Sequence, residues 1–133
     1  MKKSYILLII WFMFLTPSKA EDLQTVLKQI EKGFIQNDVN LFSEYFSDNC
    51  YLSLNYGVSG YYTASQTYYL FEKYFFNSKT IEFKINDIGK GNNQVLVEAT
   101  LKYSSAGITY SGQALITLKN INNKFLITQI FIS

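Results

Sequence analysis

Asp87 is the acid in this sequence best placed for proton transfer. It stands near the end of a long strand-like segment, and a carboxylate buried in such a position has a raised pKa suited to acid–base work. It also precedes Ile88-Gly89 and an Asn-rich turn, where a solvated acid is the plainer reading. The eleven tyrosines are the second resource, several of them clustered: Tyr51 and Tyr56, Tyr61 and Tyr62, Tyr68 and Tyr69, Tyr103 and Tyr110. A tyrosine combines a rigid apolar body with a hydroxyl that needs a partner, which suits a pocket wall or an interface. The same rings also serve simply to cover a sheet face. Gln129 is the third resource. It alternates in step with Phe125, Ile127 and Phe131, which points it inward toward Tyr56 or Tyr110, where its amide requires a hydrogen-bond partner or a ligand. Tyr56, Tyr68, Asp87, Tyr110 and Gln129 are therefore the candidate ligand-pocket residues. No residue is assigned a catalytic role, and no metal or cofactor is expected.

Two absences exclude more than these residues promise. The chain has no histidine and no arginine. Without histidine there is no ordinary general base near neutral pH, no Ser-His or Cys-His nucleophile and no imidazole metal ligand. Without arginine there is no bidentate fork for a carboxylate or phosphate. Cys50 is the single cysteine, so an internal disulfide is impossible. No base or cation flanks it in Asn49-Cys50-Tyr51, and it reads as a small buried apolar residue rather than a reactive thiol.

The first twenty residues have the form of a secretory leader. Lys2 and Lys3 supply the positive start, Tyr5 to Leu15 an apolar run, and Thr16-Pro17 the break. Ser18 and Ala20 place small residues three before and one before a cut, so cleavage is expected after Ala20. The apolar run falls short of the roughly 20 residues needed to span a bilayer. The expected product, residues 21–133, is secreted or periplasmic, forms one domain, and has no stable membrane insertion. Lys2, Lys3 and Lys19 leave with the leader, so nine lysines face ten acids, a net charge of −1. Scattered lysines at that balance give no footprint for nucleic acid.

Hydrophobic period sets the helices and strands that carry the candidates. Leu23, Val26, Leu27, Ile30 and Phe34 form one stripe of a helix over about Asp22 to Gln36. Asp38 caps a second, short helix carrying Leu41, Phe42, Tyr45 and Phe46, and Ser47-Asp48-Asn49 ends it as a turn. Cys50 to Tyr56 alternates as a half-buried strand. Thr63 and Gln66 have capping-box spacing ahead of a third helix that runs to about Phe76. From Lys79 the period changes to two. Ile81, Phe83 and Ile85 form one apolar row, Val95, Val97, Ala99 and Leu101 a second, Ile108 to Leu118 a third, and Phe125 to Ile132 a fourth. Turns fall at Gly89 to Asn93, Ser104 to Gly107 and Asn120 to Asn123. Glu82, Lys84, Glu98 and Lys102 lie opposite the apolar rows, where cross-strand ion pairs contribute roughly 0.2–1 kcal/mol each. The class is α+β: a curved antiparallel sheet of four long strands plus a short N-terminal strand, wrapped around three helices.

That order of elements, with Ile30-Glu31-Lys32-Gly33-Phe34-Ile35-Gln36-Asn37-Asp38, then Leu41, Phe42 and Phe46-Ser47-Asp48-Asn49, resembles the nuclear transport factor two-like superfamily of cone-shaped folds. That superfamily includes ketosteroid isomerases and polyketide cyclases of the SnoaL type. Tyr61-Tyr62-Thr63-Ala64-Ser65-Gln66 leading into Phe75-Phe76 is similar to a small secreted bacterial subfamily with no assigned function. The resemblance implies a cone whose catalytic members use a carboxylate base, tyrosine or carboxylic-acid donors and often a histidine.

Three functions are expected on these grounds. The first is a noncatalytic module holding a small apolar ligand in the cone. The second is a protein-interaction or homodimerising protein that uses the outer sheet face at Tyr51, Ser111, Gln113 and Leu115. The third, an isomerase or dehydratase with Asp87 as base, rests on the resemblance alone.

Overall fold

The computed structural model describes residues 22–55 and 57–133. The expected leader and Tyr56 lie outside the described residues. Helix α1 (Leu23–Gln36) opens on Asp22, whose carboxylate accepts from the Thr25 amide at 2.9 Å and from its hydroxyl at 2.8 Å. These two bonds hold the Asp22 carboxyl below the ordinary carboxylate range. Asn37 ends the helix in the left-handed region at φ 55°, a conformation asparagine tolerates better than most residues. The buried stripe is Val26, Leu27, Ile30, Gly33 and Phe34, as the period requires.

The expected second helix is instead two 3₁₀ turns, Val39–Leu41 and Ser43–Tyr45, separated by Phe42 at φ −134°. The reason is packing. The Phe42 ring lies where a side chain on Gly33 would stand, and turning it into that notch breaks the regular helical path. Glycine at 33 is thus required by close approach rather than by its own dihedrals.

Strand β1 (Phe46–Ser53) begins four residues before the expected Cys50, and a strand not foreseen from sequence, β2 (Ser59–Tyr62), comes after it. Helix α2 (Ala64–Asn77) carries the capping box complete: Thr63 Oγ1 accepts from the Gln66 amide and Gln66 Oε1 from the Thr63 amide. Then come β3 (Lys79–Lys90), β4 (Gln94–Ser105), β5 (Ile108–Ile121) and β6 (Lys124–Ile132), the four long strands of the expected meander. The sheet order is β2-β1-β6-β5-β4-β3. All neighbours are antiparallel except β1 and β6, which run parallel. The α+β class holds, with two α-helices in place of three and six strands in place of five.

Bulges curl this sheet around the helices. Ile81 and Asn86 are each inserted in β3 against β4, and Thr128 is inserted in β6 against β5. Each insertion puts the residues on its two sides out of phase with one another. Ile81, expected in the apolar row, is thereby exposed. On the outer face Glu82 and Lys102 form an ion pair at 3.7 Å, too exposed to contribute much.

The concave interior is filled by aromatic rings. Phe34 stacks on Phe83 at 4.5 Å and on Phe42 at 5.4 Å, and meets Phe75 and Phe71 edge-on at 5.4 and 6.0 Å. Phe46 and Tyr74 extend the cluster around Phe71. Val97, Leu101, Ile116, Leu118, Ile127 and Ile130 complete the core from the sheet.

Phe34→Ala is expected to lower unfolding stability by about 3–5 kcal/mol, the range for an emptied aromatic core site. Gly33→Ala is expected to cost about 1–3 kcal/mol, because its methyl must displace the Phe42 ring. Urea unfolding followed by circular dichroism measures both, and a loss below about 0.5 kcal/mol for either variant contradicts this account of the core.

Candidate functional site

Of the five residues singled out from sequence, Tyr56 lies outside the described residues, and the other four, Tyr68, Asp87, Tyr110 and Gln129, do not converge. Asp87 lies exposed on the outer face of the sheet, paired across from Glu98. Its Oδ1 accepts from the neighbouring Ile88 amide at 3.0 Å, a turn-like bond, so no carboxylate enters the interior from this position. Tyr68 is half-buried at the start of α2, and its hydroxyl donates to Asn40 Oδ1 at 2.9 Å. Tyr110 faces inward at the open end of the sheet, where it stacks on Tyr103 at 5.4 Å and remains 43% exposed. The Tyr103 hydroxyl accepts from Asn55 Nδ2 at 2.7 Å.

Gln129 does not point inward. Thr128 is the inserted residue of β6, so Ile127 faces Leu118 on the inner side while Gln129 faces Thr117 on the outer side. Simple alternation from Phe125 fails at that bulge. Ile127, Ile130 and Ile132 take the buried positions.

Space is distributed in the same sense. Between α2 and the end of β1, Leu54, Val58, Leu70, Lys73, Tyr74 and Asn77 enclose only about 80 Å³, well under the roughly 300 Å³ of a small-molecule pocket. The large concavity, about 770 Å³, lies on the other side of the sheet. Its origin is the β1–β6 pairing. Phe46 faces Ile127 and Tyr51 faces Gln129, so β1 uses five residues where β6 uses two. The stretch Ser47 to Cys50 therefore bows away from its neighbour. Ser47, Asp48 and Asn49 line one side of the resulting groove, and Thr117, Lys119, Leu126, Thr128 and Gln129 line the other. The sheet register continues the row from Leu96 through Thr117, Gln129 and Tyr51 to Tyr61.

Two features of this groove are unusual for bare surface. Ser47 is 6% exposed, and its buried Oγ has no hydrogen-bond partner, although buried hydroxyls are nearly always satisfied. Tyr61 is 68% exposed, its ring 5.1 Å from that of Tyr51 and tilted 66° to it. The charged lining residues are Asp48 and Lys119, one of each sign. Among the described residues no cluster of three metal-ligating side chains occurs. Sequence reading takes Ser47-Asp48-Asn49 for a turn and misses the groove. The polarity of Tyr51 and Gln129 within strands is its one visible trace.

Cys50, on β1, is fully buried. Burial pushes its thiol up from 9.0 to about 12, opposed by a weaker hydrogen bond with Thr67.

Helices laid across a curved six-stranded sheet in this order form the nuclear transport factor two-like fold, and solved structures of that fold resemble it. A Shewanella oneidensis protein described as NTF-2 like and of unknown function is 14% identical, with a TM-score of 0.59 over 85% of this chain and 97% of that one. A Mycobacterium tuberculosis LEH-like epoxide hydrolase is 17% identical, with a TM-score of 0.62 over 80% of this chain and 77% of that one. These likenesses show the fold alone. Residues 27–133 match the model of a domain of unknown function, DUF4783, and the chain belongs to that family. A family member from Bacteroides ovatus is 23% identical, with a TM-score of 0.70 over 82% of this chain and 94% of its own. No curated protein matches the sequence.

Ser47→Ala is expected to leave stability unchanged or raise it by up to about 1 kcal/mol, since it removes a buried hydroxyl that nothing satisfies. A loss above about 1 kcal/mol in urea unfolding means that the hydroxyl is bonded after all.

For Cys50 the sign runs against high pH. Above pH 9 the unfolded chain releases the thiol proton and the folded chain keeps it to about pH 12, so stability falls as pH rises through that window. The wild type is expected to lose more stability there than Cys50→Ala. Parallel pH dependences in urea unfolding would contradict it.

Proposed function

We propose that this protein is an exported, noncatalytic binding module that takes its ligand in the outer-face groove rather than inside the cone. The observation that carries this reading is the distribution of space: rings from Phe34 to Phe83 occupy the interior, while the groove holds a buried hydroxyl without a partner. A small apolar ligand in the cone would have to displace those rings. An isomerase or dehydratase built on Asp87 finds no support either, since that carboxylate stands on the outer face. Export is supported by the leader-like segment, residues 1–20.

A second reading has its own observation. Leu96 and Phe131 are each 39% exposed on the outer face, and a second copy of the chain packed there would cover them, forming a homodimer across the groove. Light scattering over a range of concentrations separates the two, because a strict monomer removes the dimer.

The purified chain, titrated with the low-molecular-weight fraction of its host's envelope, is expected to shift backbone amides at residues 47–51, 117–119 and 128–129 in ¹H–¹⁵N spectra. Shifts confined to Leu54, Leu70 and Tyr74 would return the ligand to the cone.

Fractionation of the host is expected to yield a chain beginning at Glu21 outside the cytoplasm. A full-length chain starting at Met1 in the cytoplasm opposes export.

A further inference from the structure

Resting on the groove as the binding site, we infer that its ligand is a neutral, hydroxyl-rich chain, an oligosaccharide. Charge removes the main competitors. Asp48 and Lys119 cancel, and the chain has no arginine, so neither a phosphate-bearing polymer nor a polycation finds a complementary field. Enclosure removes a second class, because an apolar small molecule needs a largely closed apolar pocket and this groove is open with amides and hydroxyls along it. Free edges remove a third. Extended peptides are captured by adding a strand to an unpaired edge, whereas β6 and β5 are hydrogen-bonded to a strand on both sides and the stretch of β1 without a paired neighbour, Ser47 to Asn49, is only three residues long.

The remaining class, a sugar, matches the groove on both surfaces of its ring. A pyranose presents a flat patch of C–H groups and a rim of hydroxyls. Tyr61, exposed beside Tyr51, offers an aromatic face for the patch. Asn49 and Gln129 each carry a donor and an acceptor, and the Asp48 carboxylate accepts from two neighbouring hydroxyls at once. Lining residues run from Tyr61 on β2 to Gln94 on β4, four inter-strand steps or roughly 19 Å, which suits a chain of several rings rather than one.

The test titrates the purified chain with cellohexaose, mannohexaose, xylohexaose and chitohexaose, followed by ¹H–¹⁵N shifts and tyrosine fluorescence. At least one is expected to shift the groove amides at millimolar concentration. Tyr61→Ala is expected to weaken that binding about tenfold or more, and Gln129→Ala to weaken it several-fold. Tyr69→Ala serves as control: Tyr69 is 67% exposed, matching Tyr61, but lies on α2 away from the groove, and its removal is expected to leave binding unchanged. Circular dichroism confirms that each variant is folded. Equal weakening by Tyr61→Ala and Tyr69→Ala overturns the inference. So does silence of all four sugars in a groove whose amides the envelope fraction does shift, an outcome that leaves the binding-module reading standing. If neither the sugars nor the envelope fraction shifts those amides, both readings fall.

Discussion

The stacked pair of Phe34 and Phe83, 4.5 Å between ring centres, is the contact on which the architecture depends. It joins α1 to the long edge strand of the sheet, and the other rings arrange themselves around it. Phe42 also stacks on Phe34, and Phe71 and Phe75 close in on it edge-first from α2. Rings as large as these gain most when they are wholly buried and meet edge to face, and a cone wall curved around them supplies that enclosure. The same filling decides where function can reside. Among the described residues phenylalanine rings occupy the centre of the cone, and a concavity of about 770 Å³ lies on the outer side of the sheet.

The hydrophobic pattern was sufficient for this core and for the class of fold. Period-3.6 stripes placed α1 and α2 within a residue or two, and the Thr63–Gln66 spacing located a capping box that forms as read. Alternation located all four long strands. Where the reading failed, the cause was a change of period too short to see. The inserted residues Ile81, Asn86 and Thr128 each reverse inside and outside within one strand. Gln129 was assigned to the interior by counting twos from Phe125, and one extra residue sent it to the opposite face. Asp87 likewise comes directly after an insertion. Single-residue insertions carry no compositional mark, and side-chain parity in a strand is only as reliable as the register behind it.

The second helix and the first strand were misread for a different reason, which is long-range packing. Leu41, Phe42, Tyr45 and Phe46 have helical spacing, but Phe42 fits the notch at Gly33 only if the chain leaves the helical path. The parallel contact between β1 and β6 joins residues some eighty positions apart. Nothing local in Ser47-Asp48-Asn49 announces it, and those residues have a turn-like composition. The groove therefore could not be read from the sequence: it is the space left when a strand of one phase is laid beside a strand of another.

Two residues along the groove carry a cost to folding. A buried hydroxyl without a partner is unfavourable by up to about 1 kcal/mol once the contacts of the side chain are counted, and an alanine at position 47 would avoid it. A tyrosine two-thirds exposed on a short edge strand, as Tyr61 is, contributes little to the core while offering apolar surface to any passing partner. Local features that oppose stability persist where something outside the fold uses them. Ser47 and Tyr61 line the same concavity, while a second buried hydroxyl of this kind, Thr80 Oγ1, lies on β3 beside the end of α1. The interior is packed around its rings, and exposed apolar side chains are spread over the outside, with Phe76 and Tyr69 on α2 and Ile81 on β3 as well as Tyr61 on β2.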